Sequence, residues 1–178
     1  RVAAAVQRLV NLLQAGCREG EGGYLLFPEE LIVRALESIP GRVALQRRDG
    51  RPAVDTGAEE PCFAPGLNCI SILDHRTGGH RECRLADVRE AARVCHGLGN
   101  VALATGLGNP ADVAPERQAL ETVRAIVEAT DKPLAFIAHN EVEDEEVWGF
   151  LAELAGGWDA LAERPFAALP PQVTCFEI

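Results

Sequence analysis

Apolar and polar positions follow a regular order in the middle of the chain. Short apolar runs at residues 101–105 and 134–138 each end in a polar turn, and residues 115–129 between them repeat apolar positions at helical spacing. This order is typical of a βαβ unit with parallel strands. The pattern predicts that the two polar turns, residues 106–109 and 139–140, lie at the carboxyl ends of neighbouring strands, where chemistry gathers in such folds.

Flanking segments extend this unit to about four βα steps. An extended run at residues 68–73 precedes a predicted helix over residues 85–96, and a helix over residues 141–154 precedes a strand over residues 165–169. Helices that alternate with strands indicate an α/β fold with a parallel sheet. We therefore predict a partial (β/α)8 TIM barrel over residues 56–178.

The first 55 residues predict a small α+β segment in front of the barrel. Apolar positions three and four residues apart indicate helices over residues 2–13 and from Pro28 to Ile39, and the second helix should bury one apolar face. The members of that face are Leu31, Ile32, Ala35 and Leu36. Residues 42–55 predict a hairpin because Asp49-Gly50 suits a turn with positive φ.

Composition restricts the classes of function. The net charge of −10 argues against a nucleic-acid partner, and no apolar run approaches the roughly 18 residues of a membrane span. The six cysteines show no pair at metal-site spacing, so we expect free thiols, no metal and a cytoplasmic protein. A closed barrel needs about 250 residues. We therefore expect the 178 residues to be the N-terminal part of a longer chain, truncated at the C-terminus.

Three polar residues at the predicted strand ends are candidates for substrate binding: Asn109, His139 and Asn140. An Asn side chain can hydrogen-bond a substrate, and a His can also transfer a proton. The alternative is structural, since Asn is a common N-cap and a helix is predicted from Glu141. Both interpretations stay open at this point. The triplet Asp74-His75-Arg76 is assigned to a surface turn, since Thr77-Gly78-Gly79 follows it.

The loop from Gly106 to Ala111 matches the dinucleotide-binding pattern formally, with Ala in the place of the third glycine. Asp112 would repel a pyrophosphate, and the next strand ends in His139-Asn140 rather than in an acidic residue. A nucleotide-dependent α/β enzyme that uses this loop is kept as an alternative function. No nucleophile or catalytic residue is identified from the residues alone.

Several stretches, in their order and spacing, resemble the trimethylamine methyltransferase family of corrinoid-dependent methylamine and betaine demethylases. The resemblance covers nearly the whole chain. The stretches are Phe27-Pro28-Glu29-Glu30-Leu31, Cys62-Phe63-Ala64-Pro65-Gly66-Leu67, Ile72-Leu73-Asp74-His75-Arg76-Thr77-Gly78, Leu85-Ala86-Asp87-Val88-Arg89-Glu90-Ala91-Ala92-Arg93, Gly108-Asn109-Pro110-Ala111-Asp112-Val113-Ala114-Pro115-Glu116 and Thr130-Asp131-Lys132-Pro133-Leu134.

The resemblance implies a methyltransferase that moves a methyl group from trimethylamine, or from a quaternary amine such as glycine betaine, to the Co(I) corrinoid of a partner protein. No cofactor would bind this chain directly, and the full-length protein is expected to be a homo-oligomer. A quaternary ammonium favours an aromatic cage. Phe63 is the one aromatic residue near a predicted strand-end loop, so it joins Asn109, His139 and Asn140 as a substrate-binding candidate.

In methanogen members of this family the key residue is pyrrolysine, in the later half of the chain. We therefore expect the catalytic residue to lie beyond these 178 residues and the fragment alone to be inactive. A non-catalytic homologue or fragment is the remaining alternative.

Overall fold

The computed structural model describes residues 9–67, 69 and 71–170. The chain divides into two compact units between Gly41 and Arg42. The hairpin predicted over residues 42–55 therefore belongs to the second unit. The division into residues 1–55 and 56–178 stays a prediction.

The first unit contains short elements. Residues 9–14 are helical, and the rest of the predicted helix over residues 2–13 lies outside the described residues. Strand β1 (Arg18–Glu19) pairs antiparallel with β2 (Leu25–Leu26), and helix α1 (Glu29–Glu37) follows Pro28, whose fixed φ suits a helix start.

The predicted buried face of α1 is wrong. No residue of this helix is buried, and Ile32 and Leu36 are 47% and 61% exposed. The periodicity of the helix is correct, but periodicity shows only that a helix has an apolar side. Among the described residues of this unit Cys17 is the one buried apolar side chain, so the unit offers no core for the α1 face.

The hairpin around Asp49-Gly50 is confirmed. Strand β3 (Ala44–Gln46) pairs antiparallel with β4 (Pro52–Asp55), and Gly50 has a φ of 87°. A positive φ at this turn position is the reason why a glycine is suited to it.

A second hairpin forms at the end of the run at residues 68–73, for which the pattern predicts a parallel strand. Strand β5 (Ile72–Leu73) pairs antiparallel with β6 (His80–Arg81); residues 68 and 70 lie outside the described residues. The turn is built by Asp74, which accepts the backbone N–H groups of Arg76 at 2.9 Å and Thr77 at 3.3 Å. This local turn determines the pairing, because an apolar run alone does not specify its partner.

The βαβ prediction is confirmed in the parallel sheet. After α2 (Leu85–Gly97), the sheet orders β7 (Ala104–Thr105), β8 (Leu134–Ala135) and β9 (Ala167–Ala168) side by side, all parallel. Upstream, Phe63 and Cys69 form parallel bridges with Val101 and Gly108, so this segment runs in the direction of β7.

Helices separate the parallel strands, as the pattern predicts. A 3-10 turn (Pro115–Arg117) leads into α3 (Gln118–Ala129) between β7 and β8, and α4 (Glu141–Ala155) and α5 (Trp158–Glu163) lie between β8 and β9. The core is formed by the inner faces of α2, α3 and α4 and by the strands, with Val88, Val123, Ile126, Leu134, Phe136, Val147 and Leu151 among its buried members.

The fold is mixed α/β, as predicted, and the described residues do not form a closed barrel. The partial TIM barrel therefore stays a prediction.

Lys132 lies two residues before β8, and its side chain is buried, with 1% exposure. Its ammonium donates to the backbone oxygens of Cys95 at 2.5 Å, Leu98 at 2.6 Å and Val101 at 2.5 Å. The last turn of α2 presents carbonyl groups without helical partners, and a cation there also complements the helix dipole. Lys132 thus fastens the end of α2 to the sheet.

Candidate functional site

The polar turns that follow β7 and β8 meet at the carboxyl edge of the parallel sheet. Asn109 lies four residues after the end of β7 and His139 four residues after the end of β8. The amide Nδ2 of Asn109 and the ring Nε2 of His139 are 3.2 Å apart. The parallel register therefore brings together two of the residues that the sequence singles out.

Glu143 contacts both the backbone and the ring of His139. Its Oε2 accepts the backbone N–H of His139 at 3.0 Å and lies 3.3 Å from the ring Nδ1. The Glu143 side chain is 10% exposed, whereas that of His139 is 46% exposed. A buried carboxylate thus holds an imidazole whose other edge faces solvent.

Asn140 is the N-cap of α4. Its Oδ1 accepts the backbone N–H groups of Val142 at 3.1 Å and Glu143 at 3.0 Å, and its Nδ2 donates to Glu143 Oε1 at 2.6 Å. The structural alternative therefore describes what this side chain does. Its predicted substrate-binding role is untested and stays a prediction.

The contacts form one consistent chain of donors and acceptors. If Nδ1 of His139 carries the proton and points to Glu143, then Nε2 is an acceptor for the amide N–H of Asn109. The Asn109 Oδ1 then keeps its lone pairs and makes no hydrogen bond with the described residues. Asn109 is exposed, so this oxygen is an acceptor available at the sheet edge.

Two glycines let the first turn pack closely. A Cβ on Gly106 would lie 2.6 Å from Cγ2 of Thr122, and one on Gly108 would lie 2.8 Å from the backbone oxygen of Cys69. Leu107 between them adopts a φ of 60°, a left-handed conformation that is unfavourable for a branched side chain. The tight turn holds Asn109 near His139.

This packing disfavours the dinucleotide alternative. The fingerprint needs a glycine turn that opens directly into a helix, whose N-terminus receives the pyrophosphate. Here α3 begins only at Gln118, nine residues beyond Asn109. Asp112 accepts the backbone N–H of Leu85 at 2.9 Å and so places its charge at the start of α2 instead.

The space enclosed between the two turns is small. A cavity of about 10 Å³ is lined by Gly106, Asn109, Gln118, Thr122 and His139, among others, and has room for about one water. The exposed edges of Asn109 and His139 therefore form an open surface rather than a finished pocket. Phe63, which is 55% exposed, pairs with Val101 before β7 begins. The structure thus places Phe63 at the amino edge of the sheet, away from His139.

No group of three or more potential metal ligands occurs in the part of the chain that the structure describes, and no helix there is long and apolar enough to cross a membrane. The five described cysteines carry free thiols. Burial raises the pKa of Cys83 to about 11, so this thiol stays protonated and unreactive at neutral pH.

Sequence reasoning does not single out Glu143, which lies in the acidic first turn of α4. The signal was present, because an Asn at the N-cap with Glu three residues later resembles a capping box. Here, however, the Glu143 carboxylate accepts the backbone N–H of His139, the residue before the N-cap.

Comparison of the chain with known proteins finds a matching family. The family model described as trimethylamine methyltransferase (MTTB) matches residues 3–169. The trimethylamine methyltransferase MttB of Desulfitobacterium hafniense is 25% identical over 138 residues, which are 78% of this chain and 28% of that protein. The chain thus spans little more than a quarter of the length of this curated relative.

Proposed function

Because this chain belongs to the trimethylamine methyltransferase family, we propose that the full-length protein transfers a methyl group from a methylated amine to the corrinoid of a partner protein. The observation that carries the proposal is the family match over residues 3–169. The arrangement of Asn109, His139 and Glu143 supports it, since these residues lie at the sheet edge where α/β enzymes bind their substrates.

Trimethylamine fits this edge better than a quaternary amine. Like the amine of lysine, trimethylamine is protonated at neutral pH and then carries one N–H donor. Asn109 is exposed, and its Oδ1 makes no hydrogen bond with the described residues, so it can accept this N–H. Glu141, Glu143 and Asp144 in the first turn of α4 add negative charge nearby, which attracts a cation.

Glycine betaine lacks the N–H group and adds a carboxylate. Its recognition would require a cationic or strongly donating group near His139. The described residues that line the cavity beside His139 include no Arg or Lys. This composition favours trimethylamine as the substrate, and betaine is an outcome that the experiment below tests.

The corrinoid stays on the partner protein in this proposal, where its Co(I) form would supply the nucleophile that accepts the methyl group. The role that we assign to this chain is therefore limited to the amine. Asn109 accepts its N–H, and His139, fixed by Glu143, orients Asn109. The catalytic residue is proposed to lie outside these 178 residues.

The test is a demethylation assay with the full-length protein and its corrinoid partner. Trimethylamine or glycine betaine is supplied, and dimethylamine or dimethylglycine is quantified by chromatography. We expect dimethylamine from trimethylamine and little product from betaine. A preference for betaine would contradict the substrate assignment. The absence of product from both amines would favour a non-catalytic homologue.

A further inference from the structure

A cavity at the amino edge of the sheet is lined by three arginines. It encloses about 80 Å³, and Arg47, Arg48 and Arg164 contribute its charged wall, with Leu154 and Phe166 on the apolar side. We refer to it as the arginine cavity. Arg47 and Arg48 follow β3, and Arg164 precedes β9. The arginine cavity is therefore distinct from the site at His139, which lies at the carboxyl edge.

Backbone hydrogen bonds fix the walls of the arginine cavity. The N–H of Gln46 donates to the oxygen of Pro165 at 2.8 Å, and the N–H of Arg48 donates to the oxygen of Asp131 at 2.9 Å. These bonds join the β3–β4 hairpin to the segments that enter β8 and β9. The three arginines are thus carried by two segments that are held together before any ligand arrives.

The Arg48 guanidinium is only partly satisfied. Its Nη2 donates to the backbone oxygen of Val127 at 2.7 Å, whereas its Nη1 is buried without a hydrogen-bond partner among the described residues. Burial lowers the pKa of Arg48. A desolvated cation beside a cavity is stabilised electrostatically by an anion that enters it, even without direct contact to Nη1.

The neighbouring carboxylates do not neutralise the arginines. Asp131 is shared between Arg47 at 3.2 Å and Arg51 at 3.4 Å, and Arg51 also pairs with Asp49 at 2.6 Å. Arg48 and Arg164, which also line the cavity, form no ion pair with the described residues. Four arginines therefore share two carboxylates, in a chain whose net charge is −10.

We propose that the arginine cavity binds a small oxyanion of the phosphate class, either inorganic phosphate or a phosphate monoester. Planar guanidinium groups take pairs of oxygens on one centre, which suits phosphate geometry. By the measure in which one water needs about 10–15 Å³, a volume of about 80 Å³ leaves room for a compact anion. A phosphate monoester carries about −1.5 to −2 charges at neutral pH, which matches the surplus of arginine charge better than a single carboxylate does.

The test is isothermal titration of the full chain with inorganic phosphate, glycerol phosphate or acetate, with chloride used to match ionic strength. We expect saturable phosphate binding with a Kd of about 1 mM or below. Arg164→Gln is the main variant, because Arg164 is exposed and its side chain makes no hydrogen bond or ion pair with the described residues. It should weaken phosphate binding about tenfold without affecting folding.

Arg93→Gln is the matched control, since it removes the same charge from an exposed position on α2. Arg93→Gln should leave phosphate binding unchanged. Glycerol phosphate binding tighter than phosphate would identify a monoester as the ligand, and phosphate binding tighter than glycerol phosphate would identify the free anion. The proposal is overturned by the absence of saturable binding, by equal affinity for acetate, or by an equal loss of affinity in Arg93→Gln.

Discussion

Glu143 holds both the backbone and the ring of His139 with a single carboxylate oxygen. Oε2 accepts the His139 N–H at 3.0 Å and lies 3.3 Å from Nδ1. The other oxygen accepts from the side chain of Asn140 at 2.6 Å. The orientation of His139 towards Asn109 therefore depends on a buried group that does not itself face solvent.

Replacing Glu143 with Gln should loosen this arrangement. An amide has an NH2 donor in place of one of the two carboxylate oxygens, so it cannot accept from both Asn140 and His139 at the observed positions. We expect the free energy of unfolding to fall by about 1–3 kcal/mol, measured by urea titration. In the full-length enzyme, we expect the KM for trimethylamine to rise about fivefold, since 1 kcal/mol is roughly this factor. Glu145→Gln, at an exposed position two residues further along α4, is the control, and equal losses there would contradict the assignment.

Asn109→Ala should separate binding from stability. Asn109 is exposed, so its truncation should change the free energy of unfolding by less than about 0.5 kcal/mol. The loss of the acceptor for the substrate N–H should raise the KM for trimethylamine about tenfold. Steady-state kinetics and denaturation on the same preparation check both expectations. An unchanged KM would show that the amine binds elsewhere.

The close packing of Gly106 against Thr122 predicts that a second substitution compensates for the loss of the glycine. Gly106→Ala brings a Cβ to 2.6 Å from Cγ2 of Thr122 and should destabilise the fold by about 1–3 kcal/mol. Thr122→Ser removes that methyl group, so the double variant should recover most of the loss. Gly108→Ala meets the backbone oxygen of Cys69 instead, and Thr122→Ser should not rescue it. The test compares the urea midpoints of the three single variants and of the two double variants. If Gly106→Ala combined with Thr122→Ser is as unstable as Gly106→Ala alone, the packing argument is refuted.

Lys132→Met should destabilise the second unit strongly. The substitution leaves three backbone oxygens, at Cys95, Leu98 and Val101, without their donor. All three oxygens lose the ammonium, and Cys95 O and Leu98 O keep only the backbone N–H groups of Leu98 and Val101 at 3.3 Å. Since an unsatisfied buried group costs about 1–3 kcal/mol, we expect a total loss above about 2 kcal/mol. Calorimetry should show a Tm lower by about 4–8 °C, whereas the exposed control Arg93→Met should shift it by less than about 2 °C. A similar Tm shift in both variants would contradict the role of Lys132 in fastening the end of α2 to the sheet.

Acid should weaken the β5–β6 hairpin through Asp74. The Arg81 side chain, together with the N–H groups of Arg76 and Thr77, lowers the pKa of Asp74 from 3.8 to about 2. A carboxyl whose folded pKa is depressed contributes stability above its unfolded pKa and loses it as pH falls. The stability difference between the protein and Asp74→Asn should therefore shrink between about pH 4 and pH 2. Urea titrations across this window test it, with Glu59→Gln as an exposed control, and a constant difference would exclude the mechanism.

Local chemistry explains which parts of the fold were predictable. Asp49-Gly50 specified a hairpin, and the helical periodicity of residues 118–129 and 141–155 placed α3 and α4 close to their observed bounds. Each of these signals is contained within one segment. The parallel pairing of β7 with β8 followed from the intervening helix, because a strand, a crossover helix and a second strand rarely pair otherwise.

Relationships between segments were predicted less well. The run ending in Ile72 and Leu73 predicts an extended strand of the parallel sheet, whereas its observed antiparallel pairing depends on the turn at Asp74. The apolar face of α1 was correct as a stripe but wrong as a buried surface, because burial depends on what other segments supply. At the site, the strand-end positions of Asn109 and His139 predict both residues, whereas Glu143 is not among the predicted candidates.

Lys132 is the sole lysine in the sequence, and its amine is enclosed by three carbonyl groups. Reagents that acylate primary amines therefore have no exposed lysine side chain to attack while the chain is folded. The rate at which Lys132 becomes acylated would then report how often α2 separates from the sheet. Immobilisation or fluorescent labelling through lysine would select opened molecules, so cysteine chemistry at the exposed Cys62 is the suitable route for attaching probes to this fold.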